Sequence, residues 1–221
     1  VTIISSILGG QDVRISEAPY QINYADKCGG VLVHNKWAVT TAHCGDGTFI
    51  RVGSRHRLKG PKVQVQFHLI HPEYQLHHEF DYDVQLLKLY RVLHFGALVG
   101  KVGISSRYSG GKLRVYGWGY DKEKGEYNDV LQVIKVQVVR MVLCQQVKLS
   151  WYNHTLTSSM FCAGGDGKDA CQGDSGGAAV SSGQLVGLSS FGYGCGRGLP
   201  GVYVNISHRA VQNWIHSHTG A

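Results

Sequence analysis

The chain has 221 residues, 43% of them hydrophobic and 17% charged, a balance that excludes a disordered chain and permits a substantial core. The net charge is +7 with twelve histidines counted neutral, but no nucleic-acid-binding motif accompanies it, so no nucleic-acid partner is expected. No run approaches the ~18 consecutive apolar residues of a membrane helix, and no membrane partner is expected either.

The first residues, Val1-Thr2-Ile3-Ile4-Ser5-Ser6, are too short for a signal peptide and lack its basic flank. A leader, if the protein is secreted, lies outside this sequence. Short β-type runs then follow at 31–33, 37–41, 62–71, 84–89, 112–117, 130–139, 184–190 and 202–204. Val63-Gln64-Val65-Gln66-Phe67 alternates with the period of a half-buried strand. Gly, Asp, Asn and Pro clusters separate the runs, and 30 glycines point to tight turns. Many short strands mean an all-β sandwich or barrel. At this size two barrels fit in one chain, with a boundary near the Gly- and Ser-rich stretch 100–111. One helix is expected at the end, capped by Ser207, with Ala210, Val211, Trp214 and Ile215 on one face.

Six cysteines, Cys28, Cys44, Cys144, Cys162, Cys171 and Cys195, contain no C-x-x-C pair, which disfavours zinc and thioredoxin-like sites. An even number at wide spacing suits three disulfides and a secreted, extracellular protein, although six cysteines allow 15 pairings and spacing does not choose among them. Asn153 and Asn205 each begin a glycosylation sequon, for which chance is as good a reading as use.

Gly173-Asp174-Ser175-Gly176-Gly177 is the most informative segment. A nucleophilic serine needs an exposed hydroxyl and a bent backbone whose amides face a developing oxyanion, and flanking glycines permit both. It also needs a base, which His43 in Thr41-Ala42-His43-Cys44 offers, and a group to orient that base, which Asp83 offers. Singly these are weak signals: a lone histidine is usually a surface or core residue, and a Gly-rich serine segment is usually a turn. In the order His, Asp, Ser, with Ile7-Leu8-Gly9-Gly10, Cys28-Gly29-Gly30, His71-Pro72-Glu73-Tyr74, Gly117-Trp118-Gly119 and Pro200-Gly201-Val202-Tyr203, the sequence resembles the chymotrypsin/trypsin family from residue 7 to about 218. Its pattern is most similar to arthropod digestive or mite trypsins.

The resemblance implies two six-stranded antiparallel Greek-key β-barrels with a C-terminal helix and the active site between the barrels. The divisions it suggests are a propeptide remnant 1–6, an N-terminal barrel 7–103, a C-terminal barrel 104–206 and a helix 207–221. His43, Asp83 and Ser175 would form the triad, whose general template is known in detail. Asp81 would be a neighbour only. The N–H groups of Gly173 and Ser175 would make the oxyanion hole. Disulfides would join Cys28 to Cys44, Cys144 to Cys162 and Cys171 to Cys195. Asp169, six residues before Ser175, would lie at the base of the pocket for a substrate Lys or Arg, with Gly192 and Gly201 as its walls. Ser190-Phe191-Gly192 would run along the substrate backbone. The implied protein is a monomeric, secreted Lys/Arg-directed endopeptidase without cofactor or metal, acting on polypeptides through an acyl-enzyme.

Some residues depart from the family pattern. A free Ile7 amine would pair with Asp174 after activation, yet Ser6 replaces the usual Arg or Lys before it, so a zymogen-like state is expected while that bond is intact. The loop 51–62, where calcium-binding relatives carry carboxylates, has Arg51, Arg55, His56, Arg57, Lys59 and Lys62 and no acid. No calcium is expected there. An acidic partner and a plain solvated loop are equal readings of the same residues, and polyanion binding through Arg55 and Arg57 is a weaker one. Ala178 replaces a usual proline and Gln85 a usual alanine next to Asp83, and Tyr193 lies beside the pocket entrance; any of the three could narrow the cleft. A non-catalytic binding protein on a protease scaffold is the alternative to an active enzyme.

Overall fold

The computed structural model describes residues 10–108, 110–120, 125–146, 152, 155–164, 173–192 and 199–221. The first barrel contains β2 (Gln21–Tyr24), β3 (Cys28–His34), β4 (Trp37–Thr40), β5 (Phe49–Arg51), β6 (Lys62–Ile70) and β7 (Gln85–Leu89), closed in the order β2-β3-β4-β7-β6-β5. The second contains β9 (Lys112–Gly117), β10 (Gln132–Val139), β11 (Met160–Gly164), β12 (Ala178–Ser181), β13 (Gln184–Phe191) and β14 (Gly201–Asn205). These close in the order β9-β10-β11-β14-β13-β12, so the fold is all-β with two six-stranded barrels. Two short strands lie on the second barrel: β1 (Gln11–Asp12) pairs antiparallel with β10, and β8 (Gly103–Ile104) pairs parallel with β13. Residues 11–12 therefore cross onto the second barrel before the chain builds the first.

The barrels share one apolar core. Val31, Leu32 and Val39 of the first are continuous with Tyr116, Ala178 and Leu188 of the second. A separate cluster of Leu113, Val115, Ile134, Phe161 and Tyr203 fills the second barrel. The joint between barrels is thus a hydrophobic interface rather than a hinge, which suits a site assembled from both. Disulfides Cys28–Cys44 and Cys144–Cys162 are formed. The expected pair Cys171–Cys195 lies outside the described residues.

Two local expectations are corrected. Alternation in β6 holds for Val63 and Val65 but ends at Phe67, which is exposed beyond a register shift between Val65 and Phe67. The extra residue of a bulge reverses which face follows, and Phe67 packs edge-on against Trp37 on the outside, 5.8 Å between centroids. The C-terminal helix α2 (Arg209–Thr219) is capped at His208, with no side-chain cap bond. Ser207 instead donates its hydroxyl to the Ser105 carbonyl at 3.1 Å, fastening the chain before the helix. A shorter helix, α1 (Met141–Gln146), carries Cys144.

Candidate active site

His43 lies in a 3₁₀ turn, Ala42–Cys44, directly after β4. The neighbouring Cys44 bonds to Cys28 at the start of β3, which ties the turn to the barrel wall. Gln85, the first residue of β7, is fully buried, and its amide donates to the carbonyls of Thr41 (2.9 Å) and Gly45 (3.2 Å) on either side of His43. Ala178 is likewise fully buried in the shared core. Neither side chain narrows the cleft, because both are buried in the protein; Tyr193 lies outside the described residues.

Asp83 precedes β7 and is fully buried. Its carboxylate accepts the His43 backbone N–H on Oδ1 at 2.9 Å. Its Oδ2 lies 2.6 Å from His43 Nδ1 and accepts the Ser190 hydroxyl at 2.6 Å. With Nδ1 facing a carboxylate, the neutral ring carries its proton there and leaves Nε2 as an acceptor. Ser175 Oγ lies 2.9 Å from that Nε2. The array can therefore draw the serine proton onto the histidine while the buried carboxylate stabilises the resulting cation.

Glycine chemistry sets the nucleophile turn. Gly173 and Gly176 have φ of +90° and +79°, values that disfavour any side chain. The Ser175 carbonyl accepts from Gly29 N–H at 2.7 Å, so β3 of the first barrel holds the turn of the second. Among the described residues no backbone acceptor takes the N–H of Gly173 or Ser175. Asp174 is fully buried and accepts the Gly119 N–H at 2.8 Å. Gly192 and Gly201 face each other closely: a Cβ on Gly192 would meet Gly201 Cα at 3.6 Å. Asp169 and Ile7 lie outside the described residues, as does Asn153. Asn205 ends β14, half-buried, with its side-chain oxygen buried.

Several contacts had no signal in the sequence. Ser190 was expected only along the substrate backbone, yet its hydroxyl holds Asp83. Phe80 stacks on Phe191 at 4.5 Å and presents its edge to His43 at 5.7 Å, forming an aromatic wall beside the histidine. Tyr127 packs so close to Gly173 that a Cβ on that glycine would overlap its ring.

The basic loop 51–62 turns many of its charges inward. Arg51 forks onto Asp26 at 2.7 and 3.1 Å, and this guanidinium holds the Asp26 carboxyl below the usual carboxylate range. Arg57 lies 4.1 Å over the Tyr127 ring and donates to the Asp26 carbonyl at 2.8 Å. Lys62 covers Phe49 at 3.9 Å, and His56 meets Asp129 at 2.7 Å. Asp26 and Ala25 occupy a left-handed turn, φ +60° and +53°, that delivers the chain into Cys28 and Gly29. The loop thus anchors a strained turn two residues from the disulfide beside His43.

The Trypsin family model matches residues 7–215. The chain belongs to the trypsin family of serine proteases. A trypsin of Phaedon cochleariae is 35% identical, covering 96% of this chain and 88% of its own length. Cationic trypsin-3 of Rattus norvegicus is 36% identical over 95% and 87% respectively. The vitellin-degrading protease of Bombyx mori is also 36% identical, over 95% and 84%. Insect and mammalian members of the family match this chain to the same degree. Among solved structures, mouse neuropsin, a serine protease, superposes with a TM-score of 0.87 at 30% identity and covers 96% of this chain and 99% of its own. In this trypsin-family chain, residues 43, 83 and 175 from the two barrels meet in one hydrogen-bonded array.

Proposed function

We propose that this trypsin-like protease is a secreted endopeptidase that cleaves polypeptides after Lys or Arg. The observation that carries the reading is the continuous chain Asp83, His43, Ser175, with contacts of 2.6 and 2.9 Å. Ser175 would attack the scissile carbonyl as His43 takes its proton, and the Gly173 and Ser175 amides would stabilise the oxyanion. His43 would then protonate the leaving amine, and water would hydrolyse the acyl-enzyme by the reverse proton path. Asp169 supports the Lys/Arg preference through its position six residues before Ser175. The disulfides support secretion.

Activity in this reading requires cleavage after Ser6, since Ile7 in a peptide bond has no amine to offer Asp174. An acidic partner at the loop 51–62 would find Arg55, Lys59 and Lys62 exposed there, while Arg51 and Arg57 are half-buried on Asp26 and Tyr127. The test is to produce the chain with a free Ile7 and to measure hydrolysis of Lys, Arg and Phe esters. Preferential turnover of the Lys and Arg esters, with labelling of Ser175 by a serine-directed phosphonate, is expected. A folded protein with a free Ile7 that neither turns over ester nor accepts the label would overturn the catalytic reading in favour of a binding protein on this scaffold.

A further inference from the structure

A basic cavity lies on the second barrel, built from residues the catalytic site does not use. It encloses about 620 Å³ and is lined by Lys112, Arg114, Lys135 and the turn hydroxyls of Ser181 and Ser182. Arg114 of β9 stands directly opposite Lys135 of β10, and Lys112 follows two residues along on the same face. Like charges directly opposed across a ladder are unfavourable, because their Cβ atoms are only about 5 Å apart. Among the described residues none of the three cations makes an ion pair, and the lining carboxylate, Glu17, is engaged by Arg14 at 3.4 Å. The register thus concentrates three positive charges in a concave site whose one lining carboxylate is Glu17.

We propose that this cavity binds a sulfated polysaccharide, its sulfates received by Lys112, Arg114 and Lys135 and by the Ser182 hydroxyl, while the Ser181 hydroxyl donates to the Lys112 carbonyl at 3.4 Å. Anions on one ligand would convert the opposed Arg114–Lys135 pair from repulsive to bridged. The tyrosines behind the cations argue against nucleic acid. Tyr20 and Tyr116 are buried and packed edge to face at 6.1 Å, so neither ring is presented for a base to stack on. The inference rests on the secreted reading proposed above, which puts the protein where sulfated polysaccharides occur. The expected polyanion surface therefore moves from Arg55 and Arg57, the latter committed to Tyr127, to the β9–β10 face.

The experiment is calorimetric titration of the whole chain with a heparin hexasaccharide at several salt concentrations, repeated with R114E/K135E and with R55E/K59E. Saturable binding that weakens steeply with salt is expected. Affinity should fall at least tenfold in R114E/K135E and stay within about threefold in R55E/K59E. R114E alone, which sets a glutamate opposite Lys135, should weaken binding while leaving the thermal midpoint unchanged or raised, and so separates lost contact from lost fold. The proposal is overturned by no saturable binding in 0.15 M salt, by selective loss in R55E/K59E, or by equal or tighter binding of a single-stranded oligonucleotide of matched charge. Inorganic sulfate competing as well as the hexasaccharide per mole would also overturn it, since a single-anion site needs no polysaccharide.

Discussion

Replacing Gly176 by alanine tests how the two barrels jointly shape the nucleophile turn. Gly176 has φ +79°, which costs a non-glycine residue about 1–2 kcal/mol. Its new Cβ would also overlap Thr40 Oγ1 and the Gly29 carbonyl. That carbonyl already accepts the Thr40 hydroxyl at 2.7 Å, and Gly29 N–H holds the Ser175 carbonyl at 2.7 Å. Because one partner is backbone, no rotamer change relieves the overlap, and overpacking of this kind adds about 1–3 kcal/mol. With a total near 3 kcal/mol, the thermal midpoint of a chain this size should drop by roughly 6–12 °C. The turn would also shift Ser175 relative to His43, and a displacement near 1 Å costs about a hundredfold in rate. Gly183→Ala is the control: φ there is +77°, but a Cβ meets nothing within 4 Å. It should lose only the backbone term, about 1 kcal/mol. Thermal unfolding by circular dichroism and the rate of phosphonate labelling of Ser175 in the form with a free Ile7 read the two effects. Equal midpoints for the two variants, with unchanged labelling, would refute the argument that Gly29 and Thr40 constrain the nucleophile.

Gln85→Leu removes both amide bonds that brace the His43 turn, leaving the Thr41 carbonyl only the Cys44 N–H at 3.3 Å and the Gly45 carbonyl the Tyr24 hydroxyl at 2.7 Å and the Gly47 N–H at 3.3 Å. A loss of about 1–3 kcal/mol is expected by chemical unfolding. The double variant Cys28→Ala/Cys44→Ala opens a link spanning 16 residues and should cost about 3 kcal/mol, read as a lower denaturant midpoint. His71 stacks on Tyr82 at 4.7 Å and meets Trp214 of α2 at 5.0 Å, and burial lowers its pKa below the ordinary histidine value. The folded state then binds fewer protons than the unfolded state, so stability should decline as pH falls through about 6.5. His71→Phe should flatten that part of the stability–pH curve, and an unchanged slope would exclude His71 as its source.

Local patterns determined much of this protein. Apolar runs and Gly-bounded turns marked most of the longer strands, and the segments around His43, Asp83 and Ser175 carried the triad because each has neighbours with their own chemical reason. The strand Gln21–Tyr24 went unmarked because its buried Gln21 and Asn23 read as surface residues. Phe67 followed the alternation in sequence but not in space, because a bulge is set by the partner strand. The loop 51–62 read as a charged surface because composition does not show Asp26, Tyr127 and Phe49 approaching it. Ser190 on Asp83 and Gln85 behind His43 are contacts across 107 and about 40 residues, and only closure of the barrels brings them together. Residue type and spacing are local properties that determined the chemistry available to this chain. Partners, register and the direction of each side chain depend on long-range packing, and the tertiary structure alone decided them.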